Sequence, residues 1–344
     1  MLGCLWHSLC VGQRFPDWAL ATWKDTNPFA AIRNTQSRRA RSSKETSRLI
    51  PLRSGEPQSA VRFTMCLLEF DRAIAMDHDH DGGPGKMKKV SALDGDPKQG
   101  DDGSWSQALS PPSFPTGRVD LWRLRLDEPL KAGSEASVLS SDEIARASRF
   151  HFEKDRIYFT RCRSALRGLL AGYLAIPPAE IRFEYQASAK PQLAAEQNPR
   201  ALQFNVSHSA AMALIAVGSE YRLGVDIEKI RSDVDTISLA ERFFSLRERA
   251  GLQALPDHLR VPGFFACWTR KEAFLKATGD GFSFPLSDFS VTTHPDFAPR
   301  LEDIKGNAKA AKQWFLADLR VADGFRATVA LERSYSPLET YAWT

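Results

Sequence analysis

The sequence has few cysteines, and their spacing excludes two structural classes. The five cysteines stand at positions 4, 10, 66, 162 and 267. None of these spacings suits a zinc site or a disulfide framework. We therefore expect a reducing, cytoplasmic location for the protein. Cys267 is expected to be a small buried residue of the core rather than a nucleophile.

The chain also lacks a long apolar run and a strong net charge. No stretch approaches the roughly eighteen apolar residues that a membrane-spanning helix needs, so we expect no membrane anchor. The formal net charge is only +4 in 344 residues, which gives no indication of nucleic-acid binding, although local basic patches suit an acidic protein partner. A hydrophobic content of 43% is enough for a core in two subdomains.

The first 117 residues lack sustained hydrophobic periodicity. They contain polar, glycine-rich tracts such as 77–85 and 97–103, which bury too little apolar surface to offset chain entropy. We predict that residues 1–117 are a disordered extension or that they precede the true start of translation. Three internal methionines keep the second reading open, at positions 65, 76 and 87. The basic first fifty residues leave a targeting segment as a further alternative.

The segment 224–229 places two carboxylates on one face of a strand. It follows the apolar run 213–217 and a turn signal, and the two apolar segments predict two strands of a hairpin-like unit. Since side chains alternate along a strand, Asp226 and Glu228 project from the same face. Two anions this close need a cation or strong donors, and a divalent metal is the usual compensation. The alternative is a solvated edge strand.

The segment 264–276 predicts a helix that carries a third carboxylate. Its apolar residues recur at three- and four-residue spacing and form one stripe: Phe264, Phe265, Trp268 and Leu275. Glu272 falls inside this stripe, so its carboxylate is expected to lean toward the core. The alternative is a surface pair of Glu272 with Lys276, which stabilises a helix by only about 0.2–0.5 kcal/mol.

A third polar group follows the short apolar pair Leu202 and Phe204. Ser207 and His208 supply a hydroxyl and an imidazole at the end of this predicted strand, and such groups suit phosphate oxygens. A lone histidine is more often packed or solvated than functional. The neighbouring motifs favour the functional reading.

These segments, in this order, resemble the 4′-phosphopantetheinyl transferase superfamily, and within it the pseudo-dimeric type that activates polyketide and nonribosomal peptide synthetases. The resemblance is carried by residues 205–209, 224–228 and 268–276. It spans about residues 118 to 335, and this ordered spacing is far more specific than a lone glycine pattern.

The resemblance implies an α+β fold of two similar subdomains related by a pseudo-twofold axis, with coenzyme A in the cleft between them. We place the halves at 118–215 and 216–335 and expect a loose tail at 336–344. An α+β pattern also follows from the predicted elements, which are strands over 119–124 and 204–206 and helices over 141–149, 156–175 and 237–255.

The activity implied is transfer of the phosphopantetheine arm of coenzyme A to a serine of an apo acyl or peptidyl carrier protein, releasing adenosine 3′,5′-bisphosphate. An enzyme of this family is a holo-[acyl-carrier-protein] synthase, and we expect a monomer. Matching motif positions assign Mg²⁺ to Asp226, Glu228 and Glu272. They make Glu272 and Lys276 the catalytic residues. Which carboxylate acts as the base stays open.

The resemblance also assigns contacts to coenzyme A, to Lys190, Pro191, Ser207, His208, Lys271 and Lys276. One departure is Ala189, where the family commonly has glycine before the Lys-Pro pair. Arg163 and Arg167 lie one helical turn apart, together with Arg161, and are candidates for the 3′-phosphate. The alternative for this arginine cluster is a solvated helix face.

Two rival functions use the same residues. One is a coenzyme A-binding module that has lost catalysis. The other is a metal-dependent pyrophosphate hydrolase, in which water replaces the attacking hydroxyl. A module without catalysis is expected to lose at least one of the four key residues, and all four are present: Asp226, Glu228, Glu272 and Lys276.

Overall fold

The structure, a computed structural model, describes residues 105–129, 137–185, 190–281, 284–333 and 336–343. Within these ranges the fold is mixed α+β, as the sequence predicts. The strands are, in chain order, β1 (Ser106–Ala108), β2 (Val119–Arg125), β3 (Phe183–Tyr185), β4 (Pro191–Leu193), β5 (Leu202–Ser209), β6 (Met212–Ser219), β7 (Leu223–Lys229), β8 (Phe289–Val291), β9 (Leu301–Ile304), β10 (Phe315–Asp318), β11 (Phe325–Leu331) and β12 (Leu338–Trp343).

The α-helices are α1 (Ser141–Ala147), α2 (Glu153–Leu174), α3 (Thr236–Phe243), α4 (Leu246–Gln253), α5 (Asp257–Thr278) and α6 (Ala308–Ala311). Short 3₁₀ helices occur at Pro178–Glu180, Ala195–Gln197 and Leu286–Asp288. The helix predicted over 237–255 is two helices, because Ser245 interrupts it. Its hydroxyl accepts the backbone N–H of Glu248, whose carboxylate accepts the N–H of Ser245, and this capping box starts α4.

A five-stranded sheet in the order β1-β12-β2-β6-β5 forms the first half of the molecule. Strand β6 runs antiparallel to both β2 and β5, whereas β12 runs parallel to both β1 and β2. Trp122, Leu169 and Ile215 belong to the core between this sheet and α2. The predicted strands over 119–124 and 204–206 are confirmed as parts of β2 and β5.

A three-stranded antiparallel sheet, β10-β11-β7, belongs to the second half. One of its faces packs against the first sheet through Leu121, Val225 and Val329. The other face lies under α5, where Phe274 and Ala330 share a core. The molecule is therefore layered in the order α2, first sheet, second sheet and α5.

Helix α5 crosses β7 in direct backbone contact at Gly224. A Cβ atom on this glycine would lie 2.2 Å from the carbonyl oxygen of Ala273 and 2.3 Å from the nitrogen of Ala277. No side chain fits between the two elements at this point. The close approach brings the α5 residues Glu272 and Lys276 onto the polar face of the strand.

The prediction of a hairpin from the two apolar segments is wrong. Strand β6 pairs with β2 and β5, whereas β7 pairs with β11 in the other sheet. The chain passes between the sheets at 220–222, where Glu220 has a φ of 73°. The predicted boundary between 215 and 216 therefore falls inside β6. An apolar run, a turn and a second run look the same locally whether the strands pair or separate, because partners distant in sequence decide the pairing.

Residues before 118 and after 335 contribute ordered structure, contrary to prediction. The Trp105 indole is buried and its N–H donates to the carbonyl oxygen of Arg320 at 2.8 Å. Strand β12 lies between β1 and β2, so the prediction of a loose tail over 336–344 is wrong for residues 338–343. Strand β12 is short and its partners lie far along the chain, so the local sequence gives little indication that it is a strand. The predicted disorder of residues 1–104 lies outside the described residues.

Two expectations from the composition concern the cysteines and the membrane. Cys162 and Cys267 are free and buried, and Cys267 is confirmed as a residue of the core. Burial raises the pKa of the Cys162 thiol to about 12, which keeps it protonated and unreactive. Across the part of the chain that is described, no helix is long and apolar enough to cross a membrane.

Candidate active site

Five of the predicted site residues meet at a seam between the two halves, where β5 lies along the free edge of β7: Ser207, Asp226, Glu228, Glu272 and Lys276. Alternate side chains of β5 accept backbone N–H groups of β7. These bonds run from Val225 N to Asn205 Oδ1 at 2.8 Å, from Ile227 N to Ser207 Oγ at 3.2 Å, and from Lys229 N to Ser209 Oγ at 3.1 Å. Side-chain oxygens of β5 thus take the place of the backbone carbonyl groups that a neighbouring strand would offer. These bonds fix the position of β7 along β5.

Asp226 is the centre of this seam. It is 2% exposed, and Lys276 Nζ lies 2.5 Å from its Oδ1 atom. The Ser207 hydroxyl donates to the same oxygen at 2.9 Å and accepts a bond from Lys276 at 3.1 Å. Burial raises the pKa of Asp226, and the Lys276 ammonium opposes that shift. The reading of a solvated edge strand is therefore wrong, and Lys276 belongs to the buried site rather than to a surface pair.

Glu228 lies two residues further along the same face of β7. Its side chain is 6% exposed, and its Oε2 atom accepts a hydrogen bond from the Ser209 hydroxyl at 2.8 Å. Burial raises the pKa of Glu228 well above its ordinary value, and the charges of Asp226 and Glu272 add to the shift. Three carboxylates thus share one buried region, which confirms the predicted common face and the inward position of Glu272, itself 7% exposed.

The donor set suits a divalent cation that is completed by a phosphate ligand. The second oxygen of Asp226, Oδ2, is buried and accepts no hydrogen bond from any described residue. Within the described ranges, no three His, Cys, Asp or Glu side chains are arranged to hold a metal by themselves. Mg²⁺ is typically bound by one or two carboxylates together with substrate phosphates and water rather than by an all-protein cage. An orphaned carboxylate oxygen beside two further carboxylates fits that pattern.

Lys190 lies at the edge of this seam, close to the contact of α5 with β7. Its ammonium donates to the carbonyl oxygens of Leu223 at 3.0 Å and of Lys276 at 2.9 Å. Burial, with a smaller contribution from Arg222, lowers the pKa of Lys190 to about 8. The next residue, Pro191, starts β4, which pairs with β3. The departure at Ala189 lies outside the described residues.

His208 projects from β5 on the side opposite to Ser207 and is half-buried. Burial is the main cause that lowers its pKa to about 4, and the positive charges of Lys276 and Arg146 add to the shift. The imidazole is therefore neutral at pH 7 and sits among cations. An anion bound next to it would raise this pKa.

Arg146, on α1, is a candidate site residue that the sequence analysis missed. Its Nη2 atom is buried and has no hydrogen-bond partner among the described residues. Burial and the nearby Arg163 lower the pKa of its guanidinium. A buried guanidinium nitrogen without an acceptor, next to a neutral histidine, suits an anionic ligand. Its position near the end of a short helix gave no sequence signal, because only the fold brings its charge close enough to lower the pKa of His208.

Arg163 and Arg167 share one carboxylate instead of facing solvent. Arg167 is 1% exposed, donates to Glu143 Oε2 at 2.6 Å, and also bonds the carbonyl oxygens of Pro178 and Ile181. Arg163 donates to Glu143 Oε1 at 2.5 Å. The reading of a solvated helix face is wrong for Arg167. Contact of either arginine with a 3′-phosphate stays a prediction, and the protein bonds of Arg167 do not favour it.

Lys271 is directed away from the three carboxylates. Its ammonium is completely buried and bonds Glu248 Oε1 at 2.7 Å, Glu248 Oε2 at 2.8 Å and the Phe289 carbonyl oxygen at 2.7 Å. An ammonium has three donors, and these partners account for them. The predicted phosphate contact of Lys271 stays a prediction that this geometry disfavours, and the ion pair instead ties α5 to α4.

Comparisons with known proteins match both halves of the chain. The model of the 4′-phosphopantetheinyl transferase superfamily matches residues 222–330, and the model of the 4′-phosphopantetheinyl transferase N-terminal domain matches residues 129–220. The two matches adjoin at the turn between β6 and β7. The predicted boundary at 215/216 lies a few residues before this turn and stays a prediction.

Curated relatives agree with the family models. The 4′-phosphopantetheinyl transferase HetI of Nostoc sp. (strain PCC 7120) is 41% identical over 214 residues, which is 62% of this chain and 87% of the relative. The 4′-phosphopantetheinyl transferase Sfp of Bacillus subtilis (strain 168) is 30% identical over 181 residues, covering 52% of this chain and 78% of the relative. A phosphopantetheinyl transferase of Thraustochytrium sp. is 30% identical over 208 residues, covering 56% of this chain and 72% of the relative.

Proposed function

Since the chain belongs to the 4′-phosphopantetheinyl transferase superfamily, we propose that it transfers the phosphopantetheine arm of coenzyme A to a serine of an apo acyl or peptidyl carrier protein. The observation that carries the proposal is the seam itself. Asp226, Glu228 and Glu272 share one buried region with the Lys276 ammonium, which lies 2.5 Å from Asp226. A phosphoryl-type transfer needs such a combination of anionic ligands and a fixed cation.

The reaction forms one bond and breaks another at the same phosphorus. The oxygen of the carrier serine attacks the pyrophosphate phosphorus that bears the pantetheine arm, and the bond from that phosphorus to the adenosine bisphosphate oxygen breaks. The serine proton passes to a carboxylate, for which Glu272 is our candidate, directly or through water. Lys276 is placed to offset the charge that develops on the phosphate oxygens. The leaving group is adenosine 3′,5′-bisphosphate.

Mg²⁺ belongs to the proposal as the cation held by Asp226, Glu228 and Glu272. When bound, it would neutralise the pyrophosphate and orient it for attack. The support is the buried Asp226 Oδ2 atom, which accepts no hydrogen bond from the described residues, together with the raised pKa of Glu228, which burial causes first and the charges of Asp226 and Glu272 increase.

The coenzyme A contacts of the proposal lie on both sides of the seam. Lys190 and Pro191 are our candidates for the adenine side, and Ser207 and His208 for the phosphates. To these we add Arg146, whose buried Nη2 atom has no partner among the described residues and offers a charged donor. A neutral His208 donates one N–H to a phosphate oxygen and gains a second donor on protonation.

We further propose that the protein acts as a monomer whose halves are related by a pseudo-twofold axis. In support, each half packs one long helix on its sheet, and both α2 and α5 have 22 residues. A cytoplasmic location is part of the proposal, supported by the free buried thiols. A solution mass that equals one chain is expected, and a mass of two chains would contradict this part.

The test uses purified protein, coenzyme A, Mg²⁺ and a panel of apo carrier proteins, with intact mass as the readout. The expected result is a gain of one phosphopantetheine on at least one carrier and release of adenosine 3′,5′-bisphosphate. Coenzyme A cleaved without any carrier would replace the proposal with a pyrophosphate hydrolase. Coenzyme A that binds but stays intact with every carrier would point to a module without catalysis.

A further inference from the structure

Ser209 is the last residue of β5, and its hydroxyl lies inside the seam between the halves. The side chain is 5% exposed. Its oxygen accepts a hydrogen bond from the backbone N–H of Lys229 at 3.1 Å, and its O–H donates to Glu228 Oε2 at 2.8 Å. A serine hydroxyl has a single proton. Because that proton is directed at Glu228, the bond to the carboxylate has a defined donor and a defined acceptor.

Glu228 depends on Ser209 more than Asp226 depends on Ser207. Asp226 is bonded by both the Ser207 hydroxyl and the Lys276 ammonium. Glu228 accepts its one side-chain hydrogen bond, within the described ranges, from Ser209. A glutamate side chain has about 1.5–2 kcal/mol of rotamer entropy to lose on ordering. The Ser209 bond is therefore the contact that selects one orientation of this carboxylate.

The same hydrogen bond occupies one carboxylate oxygen of Glu228 and leaves the other one available to a ligand. Oε2 is taken by the Ser209 hydroxyl, whereas Oε1 carries no hydrogen bond to the described residues. The Lys229 N–H fixes the serine oxygen in turn. The hydroxyl is thus held at the backbone of the strand that carries the carboxylate, and Glu228 cannot rotate without breaking a buried bond.

We propose that Ser209 is a positioning residue, which holds the Glu228 carboxylate so that its Oε1 atom ligates the divalent cation of the transfer reaction. This inference rests on the proposed function. Partners that orient a metal ligand through a hydrogen bond typically change metal affinity or activity by 10–100-fold when they are removed. The seam offers a matched control, because Asn205 accepts the equivalent N–H of Val225 but forms no hydrogen bond with a carboxylate among the described residues.

The experiment compares three variants with the wild-type protein, using Mn²⁺ as the probe. S209A removes the hydroxyl, S209T retains it, and N205A removes one seam bond of the same type. Mn²⁺ binding is measured by electron paramagnetic resonance in the presence of coenzyme A, and coenzyme A binding without metal by calorimetry. We expect S209A to raise the Mn²⁺ Kd roughly tenfold or more and to leave the coenzyme A Kd unchanged. S209T and N205A are expected to stay within about twofold of the wild type.

The transfer assay supplies a second readout from the same proteins. For S209A we expect the Mg²⁺ concentration at half-maximal rate to rise, with most of kcat recovered at saturating Mg²⁺. Ser209→Cys keeps the shape of the side chain but replaces the hydroxyl with a larger, weaker donor. We expect the Ser209→Cys variant to raise the Mg²⁺ concentration at half-maximal rate as well, but by less than S209A does. This variant keeps the proposal testable if S209A folds poorly.

Equal Mn²⁺ affinity of S209A and N205A would overturn the proposal, since Ser209 would then be only a seam residue. The same conclusion would follow if wild-type protein modified a carrier but bound no Mn²⁺ with coenzyme A present. A serine-dependent Mn²⁺ affinity in a protein that modifies no carrier would support Ser209 as a positioning residue and would instead contradict the transferase function.

Discussion

Lys276 and Asp226 form a buried ion pair across the contact of α5 with β7, with Nζ 2.5 Å from Oδ1. The pair exists because Gly224 carries no side chain, so that the helix backbone touches the strand. It joins the cation and the carboxylate that the proposed reaction uses. It also makes the geometry of the site depend on the packing of one helix on one strand.

The glycine at this contact gives the first prediction. Gly224→Ala is expected to destabilise the protein by more than about 4 kcal/mol, because its Cβ would overlap the Ala273 and Ala277 backbone. The matched control is Gly279→Ala at the end of α5. Gly279 has a φ of 74° and no atom within 4 Å of an added Cβ, so the expected cost is only about 1–2 kcal/mol. Urea unfolding measures both, and equal costs would contradict the close-contact argument.

The second prediction separates the two buried lysines of α5. Lys271→Met leaves Glu248 as an uncompensated buried charge and is expected to cost about 3–5 kcal/mol in unfolding free energy. Its KM for coenzyme A should remain unchanged at a temperature where the variant is folded. Lys276→Met is expected to lose transfer by more than about 100-fold. If the folded Lys271→Met variant has a raised KM for coenzyme A, that result would support the phosphate contact of Lys271 that the sequence resemblance implies.

Local patterns predicted the residues of the site better than they predicted its framework. The alternation along β7 and the stripe on α5 were enough to bring Asp226, Glu228 and Glu272 to one face, because both periodicities are properties of single elements. Strand pairing is not such a property. The separation of β6 from β7 and the insertion of β12 between β1 and β2 depend on partners far along the chain.

The partners of charged residues could not be predicted from the sequence for a related reason. The sequence shows that Arg167 and Lys271 are basic, but not that Glu143 and Glu248 lie within hydrogen-bond distance of them. A lysine or an arginine side chain can bind either a phosphate or a buried carboxylate. Only the fold decides between these partners, and it likewise reveals that the buried Arg146 Nη2 atom has no partner in the described part of the chain.

The third prediction concerns the candidate base. Glu272→Ala and Glu272→Gln are expected to retain the fold and to lose transfer by at least about 100-fold, the typical contribution of a positioned proton acceptor. Coenzyme A binding without metal should persist in Glu272→Gln, because the substitution removes a charge and keeps the shape. The checks are circular dichroism, calorimetry with coenzyme A, and intact mass of the carrier. Turnover like that of the wild type in either variant would remove Glu272 from the mechanism.

The fourth prediction follows from the lowered pKa of His208. With a pKa of about 4 in the folded protein and about 6.5 in the unfolded chain, the unfolded state binds more protons between these values. The contribution of His208 to stability is therefore present above pH 6.5 and is lost as the pH falls toward 4. Between pH 8 and pH 5 the loss is up to about 2 kcal/mol, and His208→Gln should lack it. Urea unfolding at both pH values, wild type against variant, measures the difference. Bound coenzyme A should reduce this difference between wild type and variant, because a phosphate beside the imidazole raises the pKa of His208. Identical pH dependence of the two proteins would show that His208 is not held neutral among cations.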